Sequence, residues 1–249
     1  TMGDHKVTLR DVTSGSVTTS PVLFTVTTTY RLLPKPKWVQ EGLNTNLTLS
    51  VDGGSANTSY RFTVNVTDPT GQGYNATLLV VTNSYGSGQG TIKYYADFSS
   101  GAHTNYLGTY QVTANQTVAS TTFTVGLTNA TAYKRLETVY IRGSGYLQPN
   151  ERVWINVTFG GKNVTSEKKS AVNGVVETLW KIPANAPFGT YSVILKSATV
   201  PGTTKPLADT QNFTVVEFHC RVQTQNLDGK PVANVTVELS LSLIHISEP

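Results

Sequence analysis

Cysteine is almost missing from this sequence: Cys220 stands alone, so no disulfide forms within the chain. That excludes the disulfide-stapled class of small secreted domain, but not an exported protein that folds without cross-links. Charge is equally sparse, at 14% Lys, Arg, Asp and Glu, and the net charge of +4 is scattered. Such a surface does not fit a nucleic-acid partner, which needs a concentrated basic face. The densest basic cluster is Lys162, Lys168 and Lys169. It reads as a solvated loop or an edge strand, where lysine discourages unwanted pairing. No apolar run reaches the roughly 20 residues that a membrane-spanning helix requires, and no signal-peptide pattern opens the chain. The first residue is Thr1 rather than Met, so the expectation is a fragment of a longer protein.

Chemistry-bearing constellations are lacking too. His5, His103, His219 and His245 lie far apart, and none has the ligand spacing of a zinc site. His219 and Cys220 are adjacent, but neighbours in a strand point to opposite faces. Asp68 and Asp97 offer oxygen ligands of the kind calcium takes, with turn capping as the alternative. Ser84 and Ser87 lie among glycines without a nucleophile elbow. Gly86, Gly88 and Gly90 lack the Lys-Ser/Thr end of a phosphate loop. The expectation is a chain with no catalytic residues, no cofactor and no metal.

What the sequence does have is threonine, serine, valine, 12 tyrosines and 8 phenylalanines. Branched and aromatic side chains pack well on a pleated surface. Two phrases recur. Gly108-Thr109-Tyr110-Gln111-Val112 is followed by Thr122-Phe123-Thr124-Val125-Gly126, and Gly189-Thr190-Tyr191-Ser192-Val193 by Asn212-Phe213-Thr214-Val215-Val216. A third copy of the second phrase is Leu23-Phe24-Thr25-Val26-Thr27. From Phe24 to Phe123 is 99 residues, and from Phe123 to Phe213 is 90. That is the period of a small β-sandwich. The phrases read as the penultimate and closing strands of successive modules, with Phe24, Phe123 and Phe213 as core markers. Gly108 and Gly189, just ahead of a strand, predict a tight turn with positive φ.

The fold class is therefore all-β, with tandem sandwich domains. Residues 1–30 are either the end of an upstream β domain or N-terminal strands of the next one. Residues 31–130 form the first complete sandwich. Pro34-Lys35-Pro36 stiffens its entry, where a central strand is improbable. Leu47, Leu49 and Val51 alternate with polar residues, as do Tyr60, Phe62, Val64 and Val66. Asp68-Pro69-Thr70-Gly71 predicts a capped turn. A strand is expected over 76–81, a flexible loop over 86–90, a strand over 91–98, and a further one over 109–114. Residues 131–217 form the second sandwich, with Val153, Ile155 and Val157 turned inward. Its connector, Ile182-Pro183-Ala184-Asn185-Ala186-Pro187, is kept out of the sheets by its prolines. Residues 218–240 start a further β-sandwich.

Two segments carry a resemblance to Ig-like, macroglobulin-type repeats of archaeal and bacterial surface proteins. They are Tyr140-Ile141-Arg142-Gly143-Ser144-Gly145-Tyr146-Leu147-Gln148-Pro149 and Ile182-Pro183-Ala184-Asn185-Ala186-Pro187-Phe188-Gly189-Thr190-Tyr191. The likeness covers 132–216 best and 31–127 more loosely, because the first unit has Ser99-Ser100-Gly101-Ala102-His103-Thr104 where the second has its prolines. It implies a stalk, adhesive or surface-layer role and no active site. The turn Asn226-Leu227-Asp228-Gly229-Lys230-Pro231-Val232 resembles the opening hairpin of transthyretin-like or carboxypeptidase regulatory-like domains. Residues 241–249 resemble the translation of sequencing-adapter read-through, a non-native tail; a genuine strand ending at Pro249 is the alternative.

Ten asparagines sit in glycosylation sequons: Asn46, Asn57, Asn65, Asn75, Asn115, Asn129, Asn156, Asn163, Asn212 and Asn234. Chance at this Ser and Thr content gives about four, so the excess points to an exported glycoprotein. Strand alternation offers a plainer account, since residues i and i+2 share a face and Asn-Val-Thr can be two outward polar groups around an inward valine. Both accounts turn the asparagine to solvent. Trp154 and Tyr95 fall on the opposite parity from their apolar neighbours. They could stack on a sugar, sit in a domain interface, or be partly buried against a loop. The function these features imply is an extracellular, cell-surface or envelope protein whose modules act as spacer and adhesion units. Its partners would be other surface proteins or glycans, through domain–domain or self-assembly contacts. The alternative is a noncatalytic accessory or carbohydrate-binding region of a secreted enzyme.

Overall fold

A computed structural model describes residues 3–7, 13, 22–198, 208–217, 225–226 and 228–232. The chain divides into two compact units, Thr1–Val216 and Glu217–Pro249. The strands of the first unit, in order, are β1 (Gly3–Val7), β2 (Val22–Val26), β3 (Thr29–Lys35), β4 (Trp38–Gln40), β5 (Thr45–Asp52), β6 (Ser59–Thr67), β7 (Gly73–Val81), β8 (Gly88–Tyr94), β9 (Gly108–Ala114) and β10 (Ser120–Gly126). They continue with β11 (Ala132–Tyr133), β12 (Thr138–Ser144), β13 (Arg152–Phe159), β14 (Lys162–Ser170), β15 (Val175–Lys181), β16 (Gly189–Ser197) and β17 (Ala208–Val215). The described residues contain no helix, so the all-β class holds.

β3 to β10 make one sandwich. A five-stranded sheet, ordered β4-β10-β9-β6-β7, faces a three-stranded sheet, β3-β5-β8. The next sandwich repeats the plan: β11-β17-β16-β13-β14 faces β12-β15. In both, a short strand (β4, β11) runs parallel to the closing strand (β10, β17), and the other pairings are antiparallel. The seven correspondences are β4 with β11, β5 with β12, β6 with β13, β7 with β14, β8 with β15, β9 with β16 and β10 with β17. β3 has no counterpart. Its place beside β12 is filled by residues 127–129, through Arg142 N donating to Leu127 O at 2.8 Å and Asn129 N to Tyr140 O at 3.2 Å.

The inward alternation is the physical basis of both cores. Leu47, Leu49, Val51, Phe62, Val64 and Val66 are buried in the first, and Val139, Ile141, Val153, Ile155 and Val157 in the second. At the heart of each lies a stacked pair contributed by the repeated phrases. Tyr110 stacks on Phe123 with centroids 4.9 Å apart, and Tyr191 on Phe213 at 5.5 Å. Such pairs add about 0.5–1.5 kcal/mol beyond the area they bury. A third ring closes each cluster, Tyr94 at 5.5 Å from Phe123 and Trp180 at 6.1 Å from Phe213. Phe123 and Phe213 are core residues, each 1% exposed. The side chain of Phe24 lies outside the described residues; its backbone pairs with His5.

The repeated Gly-Thr-Tyr has one geometric cause. Each tyrosine hydroxyl donates to the carbonyl four residues back, Tyr110 to Tyr106 O at 3.2 Å and Tyr191 to Pro187 O at 2.9 Å. The chain must turn sharply between donor and acceptor, and Gly108 (φ +126°) and Gly189 (φ +130°) make that turn. This is the tyrosine-corner arrangement of β-sandwiches.

Some expectations need correction. Gly88 and Gly90 are not loop residues; they belong to β8. A Cβ on either would collide with a backbone carbonyl of β7, Val81 O or Leu79 O. The glycines let β8 lie against the edge of β7 and close the side of the sandwich. The strand expected over 91–98 ends at Tyr94, because Asp97 Oδ2 accepts from Lys93 N at 2.8 Å and folds the chain back. Other readings stand. Pro34 lies in β3, an edge strand. The lysine cluster lies in β14, also an edge strand. Asp68 caps its turn through Oδ1, which accepts from Thr70 N (2.8 Å) and Gln72 N (3.0 Å). β1 and β2 form a two-stranded sheet of their own.

In the second unit the described residues form a turn. Asn226 Oδ1 accepts from Asp228 N at 3.1 Å and Lys230 N at 2.8 Å, and Gln225 bridges Pro231. His219, Cys220, Asn234 and residues 241–249 lie outside the described residues.

Candidate functional site

Three surfaces concentrate polar or aromatic groups: the joint between the sandwiches, a groove beside it, and the outer face of the second five-stranded sheet. The joint is built on residues 127–131, which leave β10 and enter β11. Leu127 and Thr128 are fully buried, and Leu127 packs into the second core. From the first sandwich, Trp38 Nε1 donates to Thr128 O at 2.7 Å. Gln40 Nε2 donates to Leu127 O and Tyr140 O, both at 3.0 Å. From the second, Gln211 Oε1 accepts from the amides of Leu127 and Thr128, while its Nε2 donates to Thr128 Oγ1. Every polar group of the crossover named here therefore has a partner from one sandwich or the other.

Glu41 locks the other side. It is fully buried, its Oε2 accepts from Ser144 N at 2.9 Å, and its carbonyl accepts from Arg142 Nε at 2.8 Å. Ser144 Oγ donates to Asn105 Oδ1 at 2.5 Å. Gly42 permits this approach: a Cβ there would stand 2.8 Å from Ser144 Cβ. Removing one partner from a buried hydrogen-bonded group such as Glu41 Oε2 costs about 1–3 kcal/mol. These bonds also fix one relative orientation.

The adjoining groove, about 800 Å³, is lined by Gln40 and Leu43 of the first sandwich and by Tyr140, Arg142, Glu177 and Leu179 of the second. Arg142 pairs with Glu177 across β12 and β15. Lys169 Nζ donates to Glu177 O at 3.1 Å. Both strongest cations of the groove are thus engaged within the fold. Groups of three or more His, Cys, Asp or Glu side chains able to hold a metal are absent among the described residues. Asp68 and Asp97 both act as turn caps, and Asp68 is buried.

Burial-raised titrations belong to the cores. Burial pushes the hydroxyls of Tyr94, Tyr110 and Tyr146 far above the usual tyrosine range, and those of Tyr133 and Tyr191 upward as well. Tyr94 keeps a bond to His103 O at 2.9 Å.

Tyr95 and Trp154, singled out together by parity, sit in different settings. Tyr95 has already left β8, packs half-buried against the first core, and donates through its hydroxyl to Gly42 O at 3.2 Å. It supports the joint. Trp154 is 40% exposed on the outer face of β13, with Lys168 Nζ 5.3 Å from its ring centroid. None of the nine described sequon asparagines is buried. Asn46, Asn57, Asn75, Asn115, Asn129, Asn163 and Asn212 are exposed; Asn65 and Asn156 are half-buried. Asn65 Nδ2 donates to Asn115 Oδ1 at 2.9 Å, joining two sequons side by side. The joint residues Trp38, Gln40, Glu41 and Gln211 carried no local sequence signal.

No family model and no curated protein matches this chain. Among solved structures it is similar to a tetra-tandem repeat in the extending region of a large adhesion protein, at 15% identity and a TM-score of 0.28, over 86% of this chain and 57% of that one. It is also similar to trypsin-activated alpha-2-macroglobulin from Escherichia coli (11% identity, TM-score 0.28, 84% of this chain and 18% of that one). A Salmonella alpha-2-macroglobulin mutant matches at 12% identity and a TM-score of 0.29, over 76% and 14% of the two chains. The chain thus spans little more than half of the first of these and less than a fifth of the others.

Proposed function

We propose that this chain is a segment of an extracellular surface protein in which β-sandwiches act as stiff spacer units, with no catalytic step of their own. The observation that carries this reading is the joint. A flexible linker would be exposed and rich in Gly or Ser; here Leu127 and Thr128, at the head of the crossover, are buried and bonded from both sides. A module that hands its orientation to the next transmits position along a stalk. The sequon-bearing surface fits export, and we propose that several of the nine described asparagines carry glycans in a host able to add them. Among the described residues no helix is long and apolar enough to cross a membrane.

Extending the reading frame on both sides tests the role. Further sandwiches with an export signal or an anchor are expected. A flanking catalytic domain would instead make the segment an accessory region of a secreted enzyme. Trp154, an exposed indole on the outer face of β13, is the observation that favours this second reading. Peptide mapping of protein from its native source tests the glycans; unmodified asparagine at every sequon would defeat that part.

A further inference from the structure

One cluster on the outer face of the second five-stranded sheet has no counterpart on the first. Counting from Tyr110 and Tyr191, which hold the same position, Arg61 matches Arg152 and Asn65 matches Asn156. Between them, Thr63 of the first sandwich stands where the second has Trp154. The cross-strand neighbours of Thr63 are Thr77 on β7 and Asn115, whose amide donates to Thr63 O. Those of Trp154 are Lys168 on β14 and Lys196 on β16. The same fold is thus built once with Thr63, Thr77 and Asn115, and once with Trp154, Lys168 and Lys196. Packing does not require the second set.

Arg152, Lys168 and Lys196 are all exposed. The outward positions of β13, β14, β16 and β17 hold no carboxylate; Glu167 and Asp209 turn inward. Asn156 and Ser166, the next outward pair along β13 and β14, supply neutral donors and acceptors, with Ser192, Thr210 and Asn212 farther along the same face. We propose that this face binds an anionic, uronate-bearing polysaccharide. The indole stacks on a sugar ring, the three cations meet carboxylates, and the hydroxyl and amide side chains meet sugar hydroxyls. Neighbouring strands lie about 4.8 Å apart, so the line Lys168–Trp154–Lys196 spans about 10 Å, close to the length of a disaccharide. Each exposed ion pair is weak; a repeating polymer engages several at once and rebinds. A nucleic acid would need more cations than these. A lipid surface would need apolar side chains to insert, and the face offers Ile194 and the indole amid polar groups.

The ligand assignment rests on the reading of the chain as an extracellular module, and its test is separate from that of the joint. Unglycosylated protein is run in affinity electrophoresis against polygalacturonate, alginate and neutral dextran, at low and high salt. Retardation by at least one of the two uronate polymers, lost at high salt, with none by dextran, is expected. The variant Trp154→Thr/Lys168→Thr/Lys196→Asn, which copies the first sandwich, is expected to bind at least tenfold more weakly while unfolding at the same temperature. Should it fail to fold, Lys168→Gln alone is expected to weaken binding several-fold. The proposal is overturned by failure to bind either uronate polymer, by equal retardation in dextran, by unchanged binding in these variants, or by stronger binding to phosphatidylglycerol vesicles or duplex DNA. Each of those results leaves the stiff joint standing.

Discussion

Two strand glycines of the first sandwich should respond to alanine with opposite signs. Gly73 opens β7, and a Cβ there meets nothing within 4 Å. Gly73→Ala therefore mainly reduces the freedom of the unfolded chain and should stabilise by about 0.4–1 kcal/mol. Gly90 sits inside β8, where the same Cβ would overlap Leu79 O and lie 3.1 Å from both Leu78 Cδ1 and Val80 Cγ2. Leu79 is held in register with Arg61, so its carbonyl cannot retreat without disturbing the β6–β7 ladder. The entropic gain is then outweighed by overpacking of about 1–3 kcal/mol. The assay is guanidinium unfolding followed by fluorescence, with the slope checked for constancy so that a shifted midpoint reports stability alone. Gly73→Ala should raise the midpoint and Gly90→Ala should lower it. A Gly90→Ala protein as stable as the parent would refute the claim that β8 closes on β7 through missing side chains.

Other outcomes follow from the same geometry. Tyr110→Phe and Tyr191→Phe each remove one hydroxyl bond to a carbonyl four residues back, so each should cost about 0.5–1.5 kcal/mol in denaturant melts. Tyr110 Oη also accepts from Tyr106 N at 3.4 Å, so the loss at Tyr110 should be at least that at Tyr191. Alkali should unfold the chain through the tyrosines. The pKa values of Tyr94, Tyr110 and Tyr146 are raised by burial, so above pH about 10 the unfolded chain loses those protons while the folded one keeps them. Stability is then complete below pH about 10 and falls above it, by up to about 1.4 kcal/mol per pH unit for each such group. Part of the tyrosinate absorbance should appear only together with the loss of far-ultraviolet dichroism; ionisation of all 12 tyrosines at pH about 10 without unfolding would contradict the burial. Asp68→Ala strips a buried turn of its acceptor for Thr70 N and Gln72 N, and should cost about 1–3 kcal/mol by the same melts.

Alternation made the inward residues legible, because period-2 patterning has a direct physical cause in the pleat. The repeated Gly-Thr-Tyr announced its turn, and the sequons announced outward asparagines whichever account of them is preferred. Gly88 and Gly90 misled for an understandable reason. Glycine marks flexible turns in local reasoning, whereas here it serves contact between strands of different sheets, which no local window contains. Tyr95 was placed by strand parity, but the strand had already ended at Tyr94. The joint was invisible because Glu41 and Ser144 stand 103 positions apart and Trp38 and Thr128 stand 90 apart. Lys168 and Lys169 looked like one cluster, yet alternation sends one to the indole and the other to Glu177 O. Register then brings in Lys196, from a strand that gave no basic signal.

The stiff joint is tested most directly by a distance between the sandwiches in solution. With Cys220 replaced by serine, spin labels at Thr77 and Lys162, both exposed, report that distance by pulsed electron resonance. A single narrow distribution is expected for the parent chain, broadened by Gln40→Leu/Gln211→Leu, which strips partners from residues 127 and 128. A broad distribution in the parent itself would contradict the account of these sandwiches as a stiff spacer.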